Sequence, residues 1–495
     1  MKKLFGLLLF IVLAFHSACI EEYSVDMAPV EMQALAEKNP DKFQKLVDER
    51  HPAALFYKGV DFLLKEDYAS ALPYIEEAVS KNSVPAIMTL ADMYRNGHGV
   101  KQNYQKAIEL VKKLAEQNNI QAQFMLGLIY NESDEVLQDY QKAKYWFEKS
   151  AEQNFAPAQV ELGFMYYKGL GVEQNYQKAK ELFEETTEQN FEIVQYYLGY
   201  MYYYGQGVKQ DYQQAVYWFE KASEQNYAEA QYFLGLMYYN GQGLTQDYQK
   251  AEELFEKAVG QNQKEAQYVL GLMYFYDQSI SQDYQKAKDL LEKSAEQNHA
   301  EAQCFLGMMY ENGMGVSQNY QKAKYWFEKS VEQNNSLAQG ELGRMYVAGL
   351  RVTRNYKKAK ELFEKSAEQN NPFSQYYLGV MYNNGDGVKK DYQKAKYWFE
   401  KAAEQNNASA QYQLALMYYN GQGVKKDYHN AKELFEKLAE QNHAGAQFFL
   451  GNMYTEGLGV RQDLSIAKEW FGKSCDNGEE GGCNNYKILN ERGIK

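Results

Sequence analysis

Glu229-Ala230-Gln231-Tyr232-Phe233-Leu234-Gly235-Leu236-Met237-Tyr238-Tyr239-Asn240-Gly241-Gln242-Gly243-Leu244-Thr245-Gln246-Asp247-Tyr248 contains both signals that decide the fold of this chain. Ala230, Leu234, Met237 and Tyr238 stand at i, i+4, i+7 and i+8, one face of a helix. Gly241 then supplies the left-handed residue that ends many helices. Asp247-Tyr248 opens a second helix, with the acid placed to accept from the free amides of its first turn.

The same pattern returns along the whole chain. A tyrosine preceded by Asp or Asn recurs every 36 residues at Tyr68, Tyr104, Tyr140, Tyr176, Tyr212, Tyr248, Tyr284, Tyr320, Tyr356, Tyr392 and Tyr428, and the register runs on to Leu464. A fixed period of this length is one helix-turn-helix unit copied many times, each unit burying its apolar face against its neighbours. The expected fold is all-α, an α-solenoid of about twelve repeats over residues 50–486, preceded by a partly helical lead-in over 19–49 and followed by a tail over 487–495. With helix layers about 10 Å apart, such a stack is expected to form a curved superhelical rod of roughly 100 Å.

Each column of the repeat carries its own physical demand. Leu234 recurs as Leu126, Leu162, Leu198, Leu270, Leu306, Leu342, Leu378, Leu414 and Leu450. Gly235 recurs except at Ala415, and a mid-helix glycine costs about 1 kcal/mol against alanine, so a neighbouring helix is expected to approach closely there. The core face of the second helix is Ala251, Leu254, Phe255 and Ala258, and all five tryptophans (Trp146, Trp218, Trp326, Trp398, Trp470) fall in the Leu254 column, where core packing is expected. Asn262 marks the end of that helix, because asparagine tolerates the left-handed cap almost as glycine does. Two turns, Ser133–Val136 and Asp277–Ile280, lack both glycines and are expected to be distorted.

The formal charge is -13, and no basic stripe offsets it, which argues against a nucleic-acid partner. At the start, Lys2-Lys3 and the apolar run Leu4–Phe15 have the pattern of a secretory signal over residues 1–18, too short to span a bilayer. His16-Ser17-Ala18-Cys19 then resembles a bacterial lipobox, with His16 where an aliphatic residue is usual, so Cys19 is the expected lipidation site and the only membrane link. Export to the periplasm or outer membrane makes a disulfide between Cys475 and Cys483 expected, and leaves Cys304 as a small apolar filler.

Ala230, Leu234, Gly235, Tyr238, Gly241, Gly243, Asp247, Lys250, Ala251 and Lys257-Ala258 resemble the unit of the Sel-one-like repeat family, relatives of the tetratricopeptide repeats. The resemblance covers about residues 50–486 and implies an adaptor that binds protein partners. The Cys475-x7-Cys483 spacing also looks like that of cysteine-rich bacterial members, some of which are described as penicillin-binding or β-lactamase proteins. Ser465-Ile-Ala-Lys468 fits the first element of such a site, but Ser-Asp-Asn and Lys-Thr-Gly elements are both missing. The six histidines show no ligand spacing, and the chain implies no catalytic residues, metal or cofactor.

If shared columns build the scaffold, function should reside in columns that vary on one face of the first helix. These are the columns of Tyr232, Phe233, Leu236, Tyr239 and Asn240. In the centre they turn aromatic: Tyr196, Tyr197, Tyr200, Tyr203 and Tyr204, then Tyr232, Phe233 and Tyr239, then Tyr268, Phe275 and Tyr276. By analogy with related solenoids this face would line a concave wall, where tyrosines offer large area with few rotors. Space-filling between helices is the competing account, with Tyr200, Tyr203 and Tyr239 expected to be the more exposed. Glu341, Arg344 and Val347 form a polar stretch on the same face. The function expected is a non-enzymatic protein- or peptide-binding scaffold at the cell envelope; a hydrolase of the β-lactamase type, or a secreted factor acting on other cells, are the alternatives.

Overall fold

The computed structural model describes residues 29–132, 138–276 and 282–494. The signal segment, Cys19 and both glycine-free turns, Ser133–Val136 and Asp277–Ile280, lie outside them. The chain divides into two compact units, with the boundary between Gln246 and Asp247. All regular structure among the described residues is helical, and in each unit helical hairpins stack in sequence order.

In the first unit the helices Pro29–Lys38 and Pro40–Asp48 lead into hairpins that begin at Pro52, Val84, Ile120, Ala156 and Glu192, and the unit closes on the single helix Ala228–Asn240. The second unit begins with Tyr248–Gly260 and continues through hairpins from Lys264, Ala300, Ser336, Pro372, Ala408 and Ala444. Its last helix, Glu480–Glu491, continues beyond residue 486, and Leu489 is buried in it. The tail expected from residue 487 is therefore mostly helix, because Leu489 joins the apolar cluster of Ala467 and Phe471. No helix among the described residues is long and apolar enough to cross a membrane.

Local chemistry sets the helix ends. Asp211 Oδ1 accepts from the amides of Gln213 and Gln214, both at 3.0 Å, and Asn355 Oδ1 accepts from Lys358 at 3.0 Å. Second helices end within a few residues on an asparagine with positive φ, from Asn82 (59°) to Asn442 (62°), and the last, Leu464–Asp476, on Gly478 (92°). Glycine in the middle of the first helix meets a steric need: a Cβ on Gly199 would lie 2.7 Å from the Phe219 ring, and one on Gly163 2.6 Å from Phe183. Those phenylalanines are fully buried and form the centre of each hairpin. The second turn glycine lies against the preceding repeat, since a Cβ on Gly207 would sit 2.7 Å from Tyr176 and Gln177 backbone atoms. Arg351 occupies that same turn position with φ 54°.

Two buried polar columns tie together the two helices of each hairpin, and the first also reaches the preceding repeat. Gln123 donates to Asn118 Oδ1 at 3.0 Å and accepts from Gln153 at 2.8 Å; Gln195 repeats this with Asn190 and Gln225. Ser330 and Ser366, fully buried, donate to the carbonyls of Ala300 and Ser336, which open the first helices of their own hairpins. Cys475 and Cys483 are joined by a disulfide across the final hairpin, with Cα atoms 4.5 Å apart. Cys304 is free and buried, and burial pushes its thiol up to about 12.

The tryptophan column departs from expectation. The indoles are only partly buried, whereas Leu254 and Leu362 in the same column are buried. The position itself lies at the edge of the core, since Leu110, Leu182, Leu290 and Leu434 in the same column are also only half-buried. The indole spreads toward solvent beside the exposed tyrosine before it in Tyr145-Trp146, Tyr217-Trp218, Tyr325-Trp326 and Tyr397-Trp398. Lys221 and Lys473 lie over the Trp218 and Trp470 rings at 5.4 and 4.4 Å.

Candidate functional site

The first-helix face of Glu192–Tyr204 and Ala228–Asn240 brings the aromatic residues of the first unit together. Tyr196, Tyr200, Tyr203 and Tyr204 each place their ring 5.4–6.4 Å from that of Phe233. Tyr200 and Tyr204 pack at 4.5 Å, and Tyr232 meets Phe233 edge-on at 5.3 Å. Phe233 itself stacks on the buried Phe219, so the cluster is rooted in the scaffold.

Exposure within the cluster is graded. Tyr204 is 51% exposed, whereas Tyr196, Tyr200, Tyr203, Tyr232 and Tyr239 are half-buried. The three tyrosines expected to be more open, Tyr200, Tyr203 and Tyr239, are thus not the most exposed. Tyr203 has a structural reason: its hydroxyl donates to Gln242 Oε1 at 3.0 Å, as Tyr167 donates to Gln206 at 2.7 Å one repeat earlier. Burial pushes the hydroxyls of Tyr196, Tyr200 and Tyr203 up, so all stay protonated at neutral pH.

In the second unit the aromatic stretch is thinner. Tyr276 is 52% exposed, but Phe275 is buried, packed edge-on against Phe305 at 5.0 Å and against Tyr284 at 5.3 Å. Phe275 is therefore a wall residue rather than a contact surface. Tyr268 is half-buried and stacks on His299 at 4.8 Å, with burial pushing its hydroxyl up to about 12.

Polar residues occupy the same face at two places. In the first unit Arg95 is bound by Asp92 (3.1 and 2.8 Å) and Glu132 (2.7 Å), a residue set absent from the sequence reading. Nearby Glu161 is raised to about 7, chiefly by burial and then by Glu132. In the second unit Arg344 lies between Glu341 (2.9 Å) and Glu311. Glu311 too was missed, because it sits in the column of Tyr203 and only the fold carries it to Arg344.

Several of the remaining polar candidates make local contacts. The Ser465 amide caps onto Asp463, while Lys468 donates to the Ile494 carbonyl at 2.6 Å. His299 and His443 cap first helices by accepting from Ala302 and Ala446. Among the described residues, no group of three His, Cys, Asp or Glu side chains is placed to hold a metal.

The comparisons with known proteins agree with this geometry. No curated protein matches the chain in sequence. A crystal structure of c5321, a protective antigen of uropathogenic Escherichia coli strains with an SLR fold, is 32% identical. It superposes with a TM-score of 0.73 over 85% of this chain and 90% of that one. A Sel1 repeat protein from Oxalobacter formigenes is 29% identical over 70% of this chain and 90% of that one, with a TM-score of 0.46. The Sel1 repeat model matches eleven times in tandem, at 84–119, 120–155, 156–191, 193–227, 228–262, 264–299, 300–335, 336–371, 372–407, 408–443 and 444–479. With a helical hairpin recurring in that register, the chain belongs to the Sel1 repeat family.

Proposed function

We propose that this protein is an exported, non-enzymatic scaffold that binds a protein or peptide on its first-helix face, centred on Tyr196, Tyr200, Tyr204 and Phe233. One observation carries the proposal: a contiguous aromatic cluster, open at Tyr204, occupies columns that the scaffold does not need to fill with aromatics. Other repeats place Lys168, Asn312 or Ala348 in the Tyr204 column and fold in the same way. Half-buried tyrosines give such a surface area at little entropic cost, which is what interface anchors require.

Export is supported by the signal-like start and by the disulfide, which an oxidising compartment would maintain. A protective antigen among the related structures fits a place at the cell envelope. Lipidation at Cys19 would supply the anchor, and Cys19→Ala should then shift the protein from the membrane to the soluble fraction. The binding face is tested by a photoreactive phenylalanine analogue placed at Tyr204 and, as a contrast, at the exposed Tyr145 of a second helix. Partner crosslinks from position 204 and none from 145 are expected; the reverse pattern rejects the proposed face.

A further inference from the structure

The trio Glu311, Arg344 and Glu341 carries two carboxylates against one guanidinium. Glu311 lies on the first helix Ala300–Asn312, and Glu341 and Arg344 lie one repeat later on Ser336–Ala348. The Glu311 side chain is only 4% exposed. Its Oε2 accepts from Arg344 Nη2, and its Oε1 is buried with no hydrogen-bond partner. Arg344 spends its Nε on Glu341 at 2.9 Å. A buried carboxylate oxygen without a donor is unfavourable until one arrives.

The Arg95 cluster shows what a closed version looks like. Arg95 is 6% exposed and uses Nε, Nη1 and Nη2 on Asp92 and Glu132, and neither acid is left with a buried unpartnered oxygen. Arg344 is 27% exposed, long and able to turn toward solvent. Tyr377, stacked on Phe363 at 5.1 Å, stands close enough for its hydroxyl to feel all three charges, and adds an aromatic wall. Burial raises the Glu311 carboxyl, with Glu341 reinforcing and Arg344 opposing, as expected where positive charge is short. An incoming anion would meet two acids; an incoming cation would supply the missing donor. The chain's formal charge of -13 favours a basic partner as well.

We propose that Glu311 and Glu341 form a subsite for a lysine or arginine side chain of the bound protein or peptide, admitted as Arg344 turns outward. This deepens the scaffold reading and rests on it. The test is selection of a phage-displayed random dodecapeptide library on the purified protein, followed by titration of a synthetic selected peptide. Selected peptides are expected to be enriched in Lys and Arg. Glu341→Gln should weaken the peptide at least tenfold with unchanged helicity, and Glu311→Gln should act in the same direction. Arg344→Gln, which removes the resident cation, should tighten it severalfold; a merely structural trio would lose binding and stability together. Selected peptides without basic enrichment, or bound equally by Glu341→Gln, overturn the subsite and leave the scaffold reading standing. Recovery of no peptide at all overturns both.

Discussion

The repeat beginning at Glu192 and the one beginning at Ser336 have the same skeleton and opposite faces. Leu198 matches Leu342, Gly199 matches Gly343, Met201 matches Met345 and Phe219 matches Phe363, and all eight are buried. In the face columns Tyr196, Tyr197, Tyr200 and Tyr204 are replaced by Gly340, Glu341, Arg344 and Ala348. The helices nevertheless run over equivalent spans, Glu192–Tyr204 and Ser336–Ala348. The hairpin therefore places few demands on the face, which is free to vary in chemistry without loss of the fold.

That comparison can be broken at several points. Leu198→Ala and Leu342→Ala should each cost about 2–5 kcal/mol, as buried truncations do. Urea unfolding of the two variants should give similar losses; a much cheaper Leu342→Ala would show that the skeletons differ. The charged repeat should also respond to pH where the aromatic one does not. The Glu311 carboxyl is raised above its ordinary 4.5 by burial, so its protonated form favours the native state. Its contribution is fully present below pH 4.5 and is lost as pH rises through the higher native value. Glu311→Gln should remove that loss, so that melting temperature falls less steeply as pH rises above 4.5; the slope that remains belongs to other raised carboxyls such as Glu161.

A smaller effect separates the turns of the same two repeats. Gly207 in the first has φ 68° and lies against the backbone of the preceding helix, whereas Arg351 in the second holds φ 54° with a side chain. Arg351→Gly should stabilise by about 1 kcal/mol through relief of left-handed strain, and Gly207→Ala should destabilise by at least as much. Differential scanning calorimetry reads both. Equal effects of one sign would mean that the two turns are not equivalent.

Much of this was legible in the sequence. The 36-residue period gave hairpins, and Asp/Asn before tyrosine, glycine at the turn and asparagine at the far cap each carried a backbone requirement that the structure meets. Cys475 and Cys483 were legible because a hairpin brings residues eight apart together. The buried Gln195 column was not, since a glutamine between alanine and aromatics looks solvated until its partner 30 residues away is placed. Degrees of exposure along the tyrosine face were equally hidden. Tyr203 is held by Gln242, Phe275 is covered by Phe305, and the tryptophan column sits at the edge of the core; each depends on where the neighbouring helices lie.

The most direct measurement pairs binding with stability in one double variant, Tyr200→Ala with Tyr204→Ala, since Tyr203 is also needed by the stack. With the crosslinked partner as probe, affinity should fall at least tenfold, while helicity and the urea midpoint stay close to those of the unchanged protein. A variant that melts early and still binds at full strength would show that these rings hold the repeats together and that the partner lies elsewhere.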